Sequence, residues 1–264
     1  MYDTENKNNK NTFFVPFYSN GLKTQRDAWC YNFSTERLAE NMKKTIVFYQ
    51  SETNRWQNRT TSENFDDFIS NNTTKISWSD NLKRSVKNNE IQQFDSQCII
   101  ESVYRPFSKQ YLYFNRSWNE RFYQQPKLFP TENHKNLCIC MSGVGYRKNF
   151  SVIISKNLPD LEIIEKSQCF PLYWYEKVEH IQRGFFDTQD SDYVRHDGIT
   201  DFILDQARQI DFKITKEDIF YYVYGFLHCP EYRETFAADL KKNSSADSAD
   251  RKSCGFLGVQ QSRT

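Results

Sequence analysis

The sequence predicts an α+β fold: a mixed or antiparallel sheet with a long N-terminal helix and a C-terminal helical hairpin. Three observations predict it. Leu38, Met42, Ile46 and Tyr49, with Ala39, recur at the i, i+4 spacing of an amphipathic helix. Short apolar runs bounded by turn residues, at 137–141, 151–154 and 169–175 (CFPLYWY), read as strands. Two further helical stripes, one opening at Thr215 and one at Pro230, lie close enough in sequence to form a hairpin. The 264 residues suffice for one large or two small domains.

Taken in order, residues 1–11 are Asn/Lys-rich and read as a disordered junction. A single domain is expected over 12–242. Residues 12–18 (TFFVPFY) read as a short strand interrupted by Pro16. Asn20 and Gly21 form a tight-turn pair that opens a loop presenting Lys23, Thr24 and Arg26, followed by Asp27. Arg26 there either meets a phosphate or base edge, or Arg26 and Asp27 pair with neighbours and shape the loop. Ser34 is placed to cap a helix over 34–56, with Glu36 in the first turn. Residues 58–74 are polar and read as a mobile or extended linker, and 76–80 as strand or turn. Lys83, Arg84 and Lys87 cluster at helical spacing, which suits a phosphate-contacting or a solvated face. Residues 98–104 lead into the central stretch described below.

The strands at 137–141 and 151–154 flank a GxG loop. It lacks the third glycine of a dinucleotide fingerprint and runs into a strand, so it reads as a hairpin tip carrying Arg147 and Lys148. Residues 185–193 read as an acidic loop. A helix is expected over 197–210 with Ile199, Phe202, Ile203, Ala207 and Ile210 on its apolar side. Thr215 and Asp218 have capping-box spacing. The helix they open is expected to bury Ile219, Tyr222, Val223, Phe226 and Leu227. Pro230 suits the first position of the next helix, whose stripe is Tyr232, Phe236, Ala237 and Leu240. Glu231, Glu234 and Asp239 on that helix repel phosphate, so the hairpin reads as scaffold.

Net charge is +1, but its distribution is uneven. Residues 75–148 carry twelve Lys/Arg against six Asp/Glu, and residues 156–242 eleven against seventeen. A basic middle beside an acidic C-terminal part fits one binding face and one scaffold face. The seven cysteines include no CxxC pair, and Cys138 and Cys140 read as small buried apolar residues. The four histidines show no ligand spacing. With no signal peptide or membrane-length apolar run, the cytoplasm is the expected location. The sequence carries no cofactor-binding Gly-rich loop after a strand, no Asn/Asp/Ser-Pro-Pro-aromatic tetrad, no Walker loop and no nuclease acid-any-Lys spacing. The reading is therefore one of binding rather than catalysis.

The stretch that concentrates this chemistry is 102–130, with nine aromatics, five Lys/Arg (Arg105, Lys109, Arg116, Arg121, Lys127) and one acid, Glu120. Interleaved rings and cations are what a nucleic-acid surface needs. Composition alone favours another reading, a Tyr/Phe-rich sheet with solvated charges outside.

The order of residues says more. GLKTQRDAW at 21–29, YRPF at 104–107 with YLY at 111–113, NER at 119–121 with Pro126, FPLY at 170–173, and DIFYY at 218–222 with HCPEYR at 228–233 stand in the order of five family blocks. Together they resemble the C-terminal specificity part of type ISP restriction-modification enzymes, over about residues 13–242. Those enzymes are large single chains joining a nuclease, a translocase, an adenine methyltransferase and a target-recognition domain. The resemblance implies an α+β target-recognition domain that reads an asymmetric site in double-stranded DNA. S-adenosylmethionine and ATP with Mg would belong to upstream domains, not to this chain. Direct readout would use Lys23, Arg26, Arg105, Lys109, Arg116, Arg121 and Arg147. Arg105, before a proline, is also suited to a structural pairing. The second reading is a non-binding structural remnant, or a module that docks on separately encoded methyltransferase and translocase parts.

The tail departs from the family. Relatives continue past the position of Lys242 with an LPRIPL segment and an FWAFSKAG-like one, whereas residues 243–264 do not. Codons exist for 243–264 that, read one base on, give both family segments. A frameshifted, disordered tail is therefore expected, and with the absent catalytic domains it suggests a truncated remnant without catalysis of its own.

Overall fold

The computed structural model describes residues 12–178 and 192–242, so the expectations for 1–11, for 243–264 and for most of the acidic loop lie outside the described residues. In chain order the elements are β1 (Ser19–Asn20), α1 (Asp27–Cys30), β2 (Tyr31–Asn32), α2 (Thr35–Gln57), α3 (Phe65–Phe68), α4 (Asp80–Lys87), β3 (Ile99–Arg105), β4 (Ser108–Tyr113), α5 (Gln125–Leu128), β5 (Cys138–Met141), β6 (Val152–Ser155), β7 (Leu158–Pro159), β8 (Gln168–Pro171), β9 (Tyr173–Lys177), β10 (Tyr193–Asp197), α6 (Asp201–Arg208), α7 (Lys216–Phe226), α8 (Pro230–Thr235) and α9 (Ala237–Lys242). The fold is α+β, and β1–β8, β9–β10, β2–β4, β3–β4, β5–β6 and β5–β8 pair antiparallel. Contacts gather in two compact units, residues 22–122 and the remainder.

In the unit 22–122 the long helix α2 forms where the spacing predicts. The Ser34 side chain accepts the Arg37 N–H and so satisfies one of the donors a helix start leaves open. Leu38, Met42, Ile46 and Tyr49 are buried along one stripe. That stripe packs on α4, which buries Leu82 and Val86, and on β4, which buries Leu112 and Tyr113. Trp118 is fully buried, with its ring edge-on to Tyr49 at 5.8 Å. β3 and β4 form a hairpin, and β2 pairs the outer edge of β4. The expected linker at 58–74 is ordered instead. Asn64 caps α3, Phe65 and Ile69 are buried, and Phe65 and Phe68 both pack against Trp56. Residues 76–80 form neither strand nor tight turn: Ile76 is buried and Ser79 caps α4.

The other unit holds a sheet in the order β1-β8-β5-β6 and a hairpin of β9 with β10. Its core joins Ile139, Met141 and Val152 of the sheet to Ile219, Phe220, Val223 and Leu227 of the C-terminal helices. The capping box is present, with Thr215 accepting the Asp218 N–H and the Asp218 carboxylate accepting the Thr215 N–H. Pro230 opens α8.

Five expectations change here. The strand at 12–18 reduces to one bridge between Phe14 and Ile199. Asn20 and Gly21 make no tight turn. Asn20 is a strand residue, and Gly21 is needed for close approach, since a Cβ there would stand 2.3 Å from the Asp160 carbonyl oxygen. The run CFPLYWY is two strands in different sheets, β8 and β9, parted at Leu172. The helix expected from 197 begins only after its N-cap Thr200, because Tyr193–Asp197 is strand. On α7, Tyr222 is exposed and Phe220 takes the buried place.

Candidate nucleic-acid interface

The expected loop presents Lys23 and Arg26 together, yet the structure separates them. Lys23 is exposed, whereas Arg26 is only 2% exposed. Its Nη1 donates to the carbonyl oxygens of Trp118 (2.5 Å) and Thr24 (3.3 Å), Nη2 to the Ser79 hydroxyl (2.7 Å) and Nε to the Ser77 carbonyl (3.3 Å). The guanidinium thus ties the loop to the N-cap of α4 and to the turn before Asn119. Burial pulls its pKa down from the ordinary value, against the opposing pull of Cys30 and Glu120. Its carbonyl accepts from Trp29 and Cys30 and starts α1. Arg26 is a framework residue of this loop.

Asp27 is a second organiser. Its carboxylate accepts from the Thr24 hydroxyl and from the Tyr104 hydroxyl at 3.0 Å, and lies 3.5 Å from Arg105 Nη2. The Arg105 guanidinium also covers the Tyr104 ring at 3.9 Å. Arg105 is half-buried and held in place, as the structural alternative for an arginine before proline requires. Two blocks far apart in sequence, at 21–29 and 104–107, therefore meet at one carboxylate.

Lys23 meets a third block. Lys23 and Arg121 exchange both backbone hydrogen bonds, at 3.1 and 2.9 Å. Such an antiparallel bridge sets the two residues directly opposite each other, with side chains on the same face. Both are exposed, and neither has an ion-pair partner among the described residues. Two like charges held side by side repel, and an anion laid across them relieves the repulsion.

The remaining candidates are solvent-facing cations. Lys109 is exposed on β4 opposite Val103. Arg116 is exposed in a turn closed by Asn119, whose side chain accepts from the Asn115 N–H and donates to the Tyr113 carbonyl. Its guanidinium lies 5.8 Å from the Phe122 ring, itself stacked on Phe114 at 4.3 Å. Arg147 belongs to the other unit, exposed at the β5–β6 hairpin tip. That tip is fixed by Gly145 at φ 78° and by the Glu165 carboxylate, which accepts the Lys148 N–H at 3.0 Å. Lys83 is paired with Asp66 at 2.6 Å, and the Lys87 ammonium covers Phe65 at 4.5 Å, so those two serve α3. The pairing of Arg26 and Asp27 with neighbours that shapes the loop at 21–29 is thus the alternative the structure bears out, and the partners of Asp27, on Tyr104 and Arg105, lie too far off in sequence to be read from it.

The sequence matches the family model described as the Type ISP C-terminal specificity domain over residues 13–244. No curated protein matches it. Several solved structures resemble the chain, three of them as follows. A nuclease-deletion mutant of the Type ISP restriction-modification enzyme LlaGI, in complex with a DNA substrate mimic, is 34% identical with a TM-score of 0.71, over 87% of this chain and 16% of that one. The DrdV–DNA complex is 30% identical with a TM-score of 0.73, over 87% and 21%. The ATP-dependent Type ISP enzyme LlaBIII bound to DNA is 30% identical with a TM-score of 0.71, over 90% and 14%. The chain thus spans between about a seventh and a fifth of the length of these relatives. No helix among the described residues is long and apolar enough to cross a membrane. On the match across 13–244 and these three likenesses, the chain belongs to the Type ISP C-terminal specificity domain family.

Proposed function

We propose that this chain recognises a sequence in double-stranded DNA for a type ISP restriction-modification system. Lys23, Lys109, Arg116 and Arg121 are the DNA contacts of the unit 22–122, with Arg26 and Arg105 holding its loops, and Arg147 is the separate candidate of the other unit. The observation that carries the reading is the Lys23–Arg121 bridge: two exposed, unneutralised cations fixed in register, in a chain similar to three enzymes solved with DNA. Adjacent cations on rigid backbone suit phosphate contacts, and arginine suits guanine O6 and N7. Methyl transfer and ATP-driven steps belong to other parts of such a system. No three His, Cys, Asp or Glu side chains converge for a metal among the described residues, and the GxG loop joins two strands.

A second reading, docking on separately encoded methyltransferase or translocase parts, is favoured by the exposed Phe202, Ile210, Phe212, Tyr221 and Tyr222 on and around α6 and α7. Binding of the purified chain to a randomised duplex pool at two salt concentrations separates the readings. Enrichment of one asymmetric site supports recognition. Salt-sensitive binding without enrichment leaves only a basic patch. No binding at low salt, by a folded chain, overturns the proposal in favour of docking or a non-binding remnant.

A further inference from the structure

We propose that Phe107 inserts its ring against a base step of the bound duplex; the inference rests on the DNA-recognition reading above and names a contact within it. Arg105 and Ser108 pair across the end of the β3–β4 hairpin, leaving Pro106 and Phe107 alone at the tip. Phe107 is 93% exposed, so packing within the chain does not account for the ring. Its φ is 63°, in the left-handed region. A proline followed by a residue with positive φ is the arrangement of a type II turn, and that third position is glycine's. A bulky side chain there is strained, so local conformation does not account for the ring either. An exposed ring on a conformation that glycine would occupy more easily points to a ligand outside the chain.

The base of the hairpin is built to hold such a ring still. The Tyr104 hydroxyl is anchored on Asp27 at 3.0 Å, the Arg105 guanidinium lies on the Tyr104 ring, and Tyr104 packs on Tyr31 at 4.7 Å. The tip therefore projects from an ordered aromatic base, with cationic Arg105 and Lys109 on either side of it in sequence. Apolar wedges of phenylalanine or proline between base steps, beside cations that meet phosphates, are a recurrent way of unstacking and bending a duplex. The ring also offers a face on which any base stacks.

The test uses the full chain and the duplex enriched from the randomised pool, with 2-aminopurine replacing single adenines along it. Binding of the parent chain is expected to raise the fluorescence at one position, where the stack opens. Phe107→Gly is expected to fold with an unchanged or higher urea midpoint, to abolish that rise, and to weaken binding roughly 5- to 150-fold while keeping its salt slope. Phe107→Trp should keep both the rise and the affinity. If Phe107→Gly binds as tightly as the parent and no 2-aminopurine position responds, the inference fails and recognition by the cationic edge stands. If the parent chain binds no duplex, the recognition reading fails, and the inference with it.

Discussion

Removing Arg26 is the perturbation whose outcome divides framework from interface most sharply. Its guanidinium makes four hydrogen bonds, two of them short, to acceptors from three separate segments. Hydrogen bonds to a charged group contribute about 1.5–3 kcal/mol each. Arg26→Ala also strands buried acceptors on Trp118 and Thr24, and removing one side of a buried charged network costs roughly 3–5 kcal/mol. Against a domain stability of about 5–15 kcal/mol that is a large loss. At about 2 kcal/mol per molar of urea, the midpoint of unfolding should fall by roughly 1.5–2.5 M. Tryptophan fluorescence suits the measurement, because Trp29, Trp56, Trp78 and Trp118 all lie in the unit 22–122 and only Trp174 lies elsewhere. Arg26→Lys should recover only part of the loss, since an ammonium keeps the charge but not the fork that reaches several acceptors. The reasoning is refuted if Arg26→Ala unfolds at the parental midpoint yet loses sequence-selective binding, because the side chain would then be acting on DNA rather than on its own loop.

The Lys23–Arg121 bridge gives the opposite signature. Lys23→Gln should leave the urea midpoint unchanged or slightly raised and flatten the slope of log affinity against log salt by about 0.9, whereas an unaltered slope would remove Lys23 from the phosphate contacts. Arg121→Gln should do the same at a phosphate, or relax selectivity at one base position at a cost of about 1–3 kcal/mol if it meets a base edge; a competition assay against the enriched site distinguishes these. Gly21→Ala places a methyl 2.3 Å from the Asp160 carbonyl oxygen and 2.6 Å from the Leu161 Cα, so backbone must yield. A loss of about 1–3 kcal/mol and a lower melting temperature are expected, and an unchanged melting temperature would contradict the close approach. The Asp218 carboxyl is held below its ordinary value of 3.8, first by the Thr215 hydroxyl and then by the Thr215 N–H. A folded pKa below the unfolded one means stabilisation that is present above pH 3.8 and lost as pH falls through the depressed folded value. The melting temperatures of parent and Asp218→Ala should therefore differ at neutral pH and converge in acid; a gap that persists there would exclude the ionised cap.

What was legible in the sequence was local. The apolar period of α2, its Ser34 cap, the Thr215–Asp218 box, the β5–β6 hairpin and Pro230 at the start of α8 each depend on residues a few positions apart. The misread elements depend on distant backbone. Nothing in CFPLYWY marks Leu172 as the point where the chain leaves one sheet for another. It does so because the Leu172 N–H is held by Leu137 while its carbonyl accepts from Gly198, both at 2.7 Å. Gly198 in turn approaches so closely that a Cβ would stand 2.0 Å from the Pro171 carbonyl oxygen. Asn20 and Gly21 carry the usual turn chemistry, and β8 together with the Asp160 backbone overrides it.

The same limit explains why two cations three positions apart in one loop have different roles. Sequence gives Lys23 and Arg26 like charge in a like setting, and only the fold reveals where acceptors converge. The carbonyls and hydroxyl that meet at Arg26 come from Thr24, Ser77, Ser79 and Trp118. A planar group with five donors can satisfy such a constellation and an ammonium cannot, so arginine at 26 follows from the framework alone. Lys23 has no such set around it; what fixes it is the backbone of Arg121, which constrains where the side chain starts but not what it is. A position whose backbone is fixed and whose side chain answers to no internal partner can change its side chain at little cost to the fold. On the DNA-recognition reading, substitutions at 23 and 121 are expected to alter recognition without altering the fold, whereas substitution at 26 is expected to disturb the fold.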